Sequence, residues 1–132
     1  MADIDPSLEL QGRVVSALKA AGIAGGRVHD SVPEKPTFPY ISIGPWTSTS
    51  DTADCVLTDE ISAQIDVWSR QPGFVEAKQI AHDVRRVLRD ADLTLASNAL
   101  VLFEHRITRA MRDPDGLTSH AVLTFTALIE EP

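Results

Sequence analysis

Four histidines are the side chains in this sequence best suited to bind a metal ion: His29, His82, His105 and His120. Zinc sites in proteins need three or four ligands, often paired at short spacings such as one helical turn. No two of these histidines have such a spacing. Only His105 and His120 could approach each other, across a predicted hairpin, and two histidines do not complete a site. We therefore predict no metal ion and no other cofactor, and keep a small ligand-binding or metal-dependent domain as a less favoured alternative.

Nucleophilic and acid–base catalysis also lack the patterns that they need. Cys55 lies in a polar segment without a basic neighbour that would favour its thiolate, and no glycine pattern of a nucleophile elbow occurs. The carboxylate pair Asp113 and Asp115 belongs to a predicted turn, and the pair Glu130 and Glu131 stands near the end of the chain. The sequence therefore predicts a protein that is not an enzyme.

Arg85, Arg86 and Arg89 form a basic strip on a predicted helix. Such a strip suits contact with an acidic partner or a phosphate backbone. Positive side chains near the carboxyl end of a helix also stabilise it through the helix dipole, and this is the interpretation we favour. The formal net charge of −7 opposes general binding of nucleic acid, because phosphate affinity depends on clustered lysine and arginine.

The length of 132 residues and the hydrophobic content of 43% fit one globular domain, residues 1–132. The single cysteine excludes an internal disulfide and fits a reducing compartment. The acidic amino terminus has no apolar run typical of a signal peptide, and no stretch is apolar enough to span a membrane. We therefore expect no membrane contact, and a cytoplasmic location where the protein is made.

Hydrophobic periodicity predicts two helices. Asp5 and Pro6 are suited to begin the first helix, and Gly22 to end it. The second helix follows a Gln-Pro-Gly turn at 71–73 and has an apolar stripe between Ala77 and Leu88.

Alternation of apolar and polar residues predicts the strands. Residues 28–29, 40–44 and 61–68 form three of them, and two longer strands near 101–111 and 121–129 are joined by an Asp-Pro-Asp-Gly turn. Strict alternation places one set of side chains of the first long strand on a single face: Val101, Phe103, His105, Ile107, Arg109 and Met111.

These elements predict an α+β fold, an antiparallel sheet of four to five strands with two helices packed on one face. The other face is then open to solvent or to a neighbouring molecule. The predicted registers place on that open face Trp68, Glu104, Arg106, Thr108, Thr124 and Thr126.

Residues at about 45–59 are rich in Ser, Thr and Asp and contain Trp46. We expect a long polar loop or a hairpin extension there. Loops of this length inside a compact domain are usually functional or disordered, so the segment is either an assembly arm or simply disordered.

Four runs of sequence, taken together and in this order, carry a resemblance: 25–33 (GGRVHDSVP), 38–44 (FPYISIG), 66–70 (DVWSR) and 112–120 (RDPDGLTSH). Over about residues 8–130 the chain resembles the tail terminators, or tail-completion proteins, of long-tailed phages, prophages and phage-derived gene transfer agents.

The resemblance implies a structural subunit of a homo-hexameric ring that ends the tail tube and joins it to the head. Its partners would be further copies of itself, the tail tube protein and a head-completion or stopper protein. DNA would pass through the ring without specific binding, and the final location would be the head–tail junction of a virion-like particle. A head-closure connector protein stays open as the alternative.

A ring subunit needs two different contact surfaces, one for each neighbour. The candidate residues for an assembly interface or the lumen are Trp46, Asp51, Asp54, Asp59, Trp68, Arg70, Arg85, Arg86, Arg89, Asp113 and Asp115. We expect Asp51, Asp54 and Asp59 at the lumen or the tube-facing rim, where negative charge would repel the phosphates of passing DNA.

Overall fold

The computed structural model describes residues 4–51 and 57–132. It contains two helices, α1 (Pro6–Ala20) and α2 (Val75–Asp90), and a 3₁₀ turn at Ile23–Gly26. Its five strands are β1 (Val28–His29), β2 (Tyr40–Asp51), β3 (Thr58–Ser69), β4 (Ala99–Arg112) and β5 (Ser119–Glu130). They form one sheet in the order β1-β2-β3-β5-β4. The predicted α+β fold is confirmed, with one difference: β1 runs parallel to β2, so the sheet is mixed.

Helix α1 begins and ends as its sequence predicts. The side chain of Asp5 accepts a hydrogen bond of 3.0 Å from the backbone N–H of Ser7, and Pro6 takes the first helical position, where its missing N–H costs nothing. Gly22 follows the helix with φ of 71°, a left-handed conformation that favours glycine. The helix is therefore fixed at both ends by local sequence.

The hydrophobic core lies between the two helices and one face of the sheet. Alternate residues of β3 and β5 are buried there, and α1 and α2 each contribute an apolar stripe. Phe125, Leu10, Leu18 and Leu88 are among its largest buried side chains. The prediction that both helices pack on one face is confirmed, and the opposite face of the sheet is left open.

In the segment at about 45–59, residues 45–51 and 58–59 are strand, which agrees with the predicted hairpin extension and not with a loop at those positions. Strand β2 continues to Asp51 and β3 begins at Thr58, with a register shift between Ile43 and Trp46. Thr47, Ser48 and Thr49 are exposed, and threonine has a high β-propensity. A strand that faces solvent need not be apolar, which is why the composition alone suggested a loop.

The predicted alternation along β4 is wrong, because two β-bulges interrupt it. The register shifts between Leu100 and Leu102 and again between His105 and Ile107. Each bulge inserts one residue and so reverses which face the following side chains occupy. Phe103 and His105 therefore face the helices, whereas Ile107, Arg109 and Met111 lie on the open face. The second shift also moves Thr108 to the helix-covered face, away from its predicted position.

Candidate functional site

A cluster of polar and aromatic side chains, which we call the open-face cluster, occupies one end of the open face. The register places its members side by side on β2, β3 and β5. They are Tyr40, Ser42, Gln64, Asp66, Trp68 and His120.

Ring stacking and hydrogen bonds hold the open-face cluster together. The rings of Trp68 and His120 stack with centroids 3.7 Å apart, and Tyr40 lies 6.2 Å from Trp68 on its other side. Trp68 Nε1 donates a hydrogen bond of 2.9 Å to Ser42 Oγ. The cluster thus joins three neighbouring strands through side chains as well as through the backbone.

Asp66 is the central acceptor of the cluster and is only 5% exposed. His120 Nε2 lies 2.8 Å from Asp66 Oδ1, and Gln64 Nε2 donates to both carboxylate oxygens, at 3.1 and 3.3 Å. Gly44 leaves the space that this carboxylate fills, since a Cβ atom at that position would lie 2.5 Å from Asp66 Oδ2. These side chains satisfy one another, which makes the cluster a rigid patch of the sheet.

Beside the open-face cluster lies a cleft of about 450 Å³, which we call the Arg70 cleft. Four of the predicted interface residues line it together: Trp68, Arg70, Asp113 and Asp115. The guanidinium group of Arg70 lies 4.3 Å from the ring centre of Phe38, and Arg70 Nε donates to Thr118 Oγ1 at 3.3 Å. The cleft therefore combines an aromatic wall with charges of both signs.

Two charges bear on the hydroxyl group of Tyr40 in this cleft. Burial raises the pKa of Tyr40, the positive charge of Arg70 lowers it, and the negative charge of Asp113 raises it again, so that the pKa is higher than usual. The raised pKa favours the protonated hydroxyl, which is able to donate a hydrogen bond.

Asp115 is occupied by the β4–β5 turn. Its carboxylate accepts hydrogen bonds from the backbone N–H groups of Leu117 and Thr118, and a third from the Thr118 hydroxyl at 2.8 Å. The hydrogen bonds from Thr118 and Leu117 lower the pKa of Asp115. The role of Asp115 is thus structural, as the turn sequence predicts.

The basic strip of α2 is divided between two surfaces. Arg85 and Arg89 line a hollow of about 270 Å³ beside β4, together with Phe103, Glu104 and His105. Burial lowers the pKa of His105, and the positive charge of Arg85 lowers it further. Arg86 instead lines a groove between α1 and α2, with one guanidinium nitrogen 3.7 Å from Asp83 Oδ1.

The residues predicted on the 45–59 segment lie at the far end of the β2–β3 hairpin. Trp46 is half-buried against the core, and its Nε1 donates a hydrogen bond of 3.0 Å to the carbonyl oxygen of Gln64. Asp51 is the last residue of β2, and Asp59 accepts a hydrogen bond from Ser50 Oγ at 3.4 Å. Asp54 lies outside the described residues.

The structure does not bring His105 and His120 together. The β4–β5 register pairs His105 with Phe125 on the helix-covered face, and His120 with Met111 on the open face. Within residues 4–51 and 57–132, no three His, Cys, Asp or Glu side chains are grouped so that they could hold a metal ion. The helices of the described part of the chain are also too short or too polar to cross a membrane.

Sequence reasoning missed most of the open-face cluster. The sequence presents Asp66 and Gln64 as ordinary solvent-facing positions of an alternating strand, gives Tyr40 no role, and offers His120 only as a candidate metal or ligand-binding residue. A signal was present, because Ser42, Asp66 and Trp68 occupy alternate positions of strands that the sequence did predict. The register that joins them comes from the structure.

Comparison with known proteins gives a consistent result. The family model described as Tail completion protein gp17 matches residues 12–130. A solved structure of the virion of a native gene transfer agent (GTA) particle contains a similar chain, with a TM-score of 0.84 and 29% sequence identity. That match covers 94% of this chain and 96% of the other. No curated protein shows significant sequence similarity to this chain.

Proposed function

This chain belongs to the tail completion protein gp17 family, and on that premise we propose that it is a subunit of a six-membered ring that ends the tail tube and joins it to the head. A structural role in a phage-type tail follows from the family and from the similarity to a chain of a gene transfer agent virion. The ring, its position at the head–tail junction and a non-catalytic mode of action are the proposal.

The two edges of the sheet support this proposal most directly. Strand β4 forms one edge along its whole length of 14 residues, and β1 covers only Ile41 and Ser42 of the 12-residue strand β2 at the other edge. An uncovered edge exposes a row of backbone N–H and C=O groups that can pair with another chain. Two different edges on one molecule are suited to a head-to-tail contact, which closes into a ring when the rotation between copies permits.

The charge of the chain fits a channel for DNA. With a formal net charge of −7, a ring of six copies would carry many more negative than positive groups and would repel the phosphate backbone rather than bind it. We therefore propose that DNA passes through the ring without specific contacts.

Electron microscopy of reconstituted tubes tests the proposal. The tail tube protein encoded in the same gene cluster is assembled into tubes with and without the purified chain. We expect tubes that stop growing, with a disc of six copies at one end as measured by particle mass. Tubes of unchanged length distribution without end density, or chain bound along the sides of the tubes, would reject a terminator role.

A further inference from the structure

Two free backbone stretches of similar length lie on opposite edges of the sheet. One is residues 46–51 of β2, beyond the part that β1 covers, and the other is residues 99–105 of β4. Sheet edges that must stay unpaired usually contain lysine, proline or a β-bulge; neither stretch contains lysine or proline, and a single bulge lies between Leu100 and Leu102. Val101 and Leu102 in the second stretch are 54% and 42% exposed, although both are apolar. Both edges are therefore suited to pairing.

The register shows how a second copy would fit. Thr49 of β2, Glu60 of β3, Leu128 of β5 and Leu102 of β4 lie in one row across the sheet. A second copy that continues the sheet in the same orientation therefore places its residues 46–51 opposite residues 99–105 of the first. The three antiparallel pairings also make β2 antiparallel to β4, so the new contact is an antiparallel one.

Charge favours this contact over the other possible pairings. Strands β2 and β3 contain no lysine or arginine, whereas Arg85 and Arg89 of α2 lie beside the 99–105 stretch of β4, which itself contains one acidic residue, Glu104, and no lysine or arginine. Asp59 pairs with Ile129 in the register and so lies on the helix-covered side, the side on which Arg85 and Arg89 flank β4. Two β2 edges would bring acidic groups together, but a β2 edge beside a β4 edge brings Asp59 towards Arg85 and Arg89.

We propose that the free edge of β2, residues 46–51, pairs with the edge of β4, residues 99–105, in a second copy of this chain. The contact is heterologous, so repeating it yields a closed ring or an open filament. This inference rests on the proposed ring and assigns its subunit interface. It places Asp59 one strand inside the subunit contact, where it compensates positive charge, instead of at the lumen.

A disulfide across the proposed interface tests the pairing directly. The variant combines Thr49→Cys and Leu102→Cys with Cys55→Ser, so that the two introduced thiols are the only ones. Both positions are exposed and lie on the open face in one row. Directly opposed residues of antiparallel strands have Cα atoms about 4.5–5.5 Å apart, within the range of a disulfide. On tubes capped by this variant, oxidation is expected to give a ladder of covalent species that ends at six copies.

The matched control moves one thiol along the same edge and face. Thr49→Cys with Arg109→Cys, also in the Cys55→Ser background, displaces the second thiol by seven residues, roughly 23 Å. This variant should give no ladder. Capped tubes without a ladder from the first pair, or with an equal ladder from the control, would overturn the edge contact and leave the ring intact. If the wild-type chain leaves tubes uncapped while the first pair forms open-ended ladders in concentrated solution, the ring is rejected and the edge contact stands.

Charge reversal provides a second measurement that requires no oxidation. Asp59→Lys should raise the concentration needed for half-maximal capping by roughly tenfold or more, because a positive charge then faces Arg85 and Arg89 of the neighbouring copy. Adding Arg85→Glu and Arg89→Glu to the same chain should restore most of the loss. Capping that is unaffected by the first change, or a loss that the second change does not reduce, would contradict the proposed contact. Each variant's thermal unfolding midpoint confirms that it is folded.

Discussion

Gly44 provides a sharp test of the packing of the open-face cluster. A Cβ atom at this position would lie 2.5 Å from Asp66 Oδ2 and 2.9 Å from both Cγ and Nε2 of Gln64. Real Cβ contacts are practically never that short, so Gly44→Ala must displace the carboxylate. Asp66 cannot move freely, because His120 and Gln64 hold both of its oxygens. We therefore expect the substitution to destabilise the fold.

The size of this effect can be estimated from overpacking in other proteins. Inserting a methyl group into a filled site costs about 1–3 kcal/mol. For a domain of this length, 1 kcal/mol shifts the unfolding midpoint by about 3–4 °C, so Gly44→Ala should lower it by about 3–12 °C. Gly12→Ala is the matched control, since Gly12 lies in α1 and has nothing within 4 Å of its Cβ position. It should raise the midpoint by about 2–4 °C, because alanine favours a helix by about 0.5–1 kcal/mol.

Differential scanning calorimetry of a double-mutant cycle identifies the cause. If the methyl group acts through the Asp66 carboxylate, Gly44→Ala should cost at least 1 kcal/mol less in an Asp66→Ala background. Equal costs in both backgrounds would show that the destabilisation arises elsewhere. A midpoint that is unchanged by Gly44→Ala alone would refute the packing argument itself.

Two further predictions concern stability. Burial alone would raise the pKa of Glu9, but hydrogen bonds from Asn98 and the backbone of Ser97 lower it below the ordinary 4.5. Glu9 therefore stabilises the fold above pH 4.5, and this stabilisation is lost as the pH falls through the lowered pKa. Glu9→Gln should therefore cost about 1 kcal/mol at pH 7, and its midpoint should converge with the wild-type midpoint as the pH falls through the lowered pKa. Parallel curves would contradict this. Leu88→Ala removes a buried core side chain and should lower the free energy of unfolding by about 2–5 kcal/mol in denaturant titration. His82→Ala, on the exposed face of α2, should change it by less than about 0.5 kcal/mol. Similar losses in the two variants would be inconsistent with the packing.

Local sequence signals predicted the elements whose determinants are themselves local. The cap at Asp5, the turn at 113–116 and the apolar stripe of α2 each depend on residues a few positions apart, and the structure confirms all three. The prediction of which residues share a face of β4 was wrong for a physical reason. A β-bulge such as the one between His105 and Ile107 is an extra residue relative to the partner strand, and so it depends on β5 as much as on β4.

The open-face cluster was missed for the same reason. Asp66 and His120 are 54 residues apart in sequence, and only the β3–β5 register makes them neighbours. The Ser- and Thr-rich end of β2 was not recognised as a strand for a different reason. Its residues face solvent and lack the alternation that identifies a half-buried strand. In each case the missing information was the identity of the partner strand.

The same dependence on partners explains why so few reactive side chains are left unpaired in the described part of this chain. In the described residues, the buried side-chain nitrogen and oxygen atoms all have hydrogen-bond partners, and the most ordered polar group, the open-face cluster, is satisfied within itself. The backbone at the edges of β2 and β4 is what remains available to another molecule. An unpaired backbone edge cannot be recognised from its own residues, but the charges beside it can be read from the sequence. Acidic strands lie at one edge and arginines lie beside the other. For the proposed edge contact, the informative sequence feature is therefore this asymmetry of charge across the sheet, which favours one pairing of edges and opposes the like-charged ones.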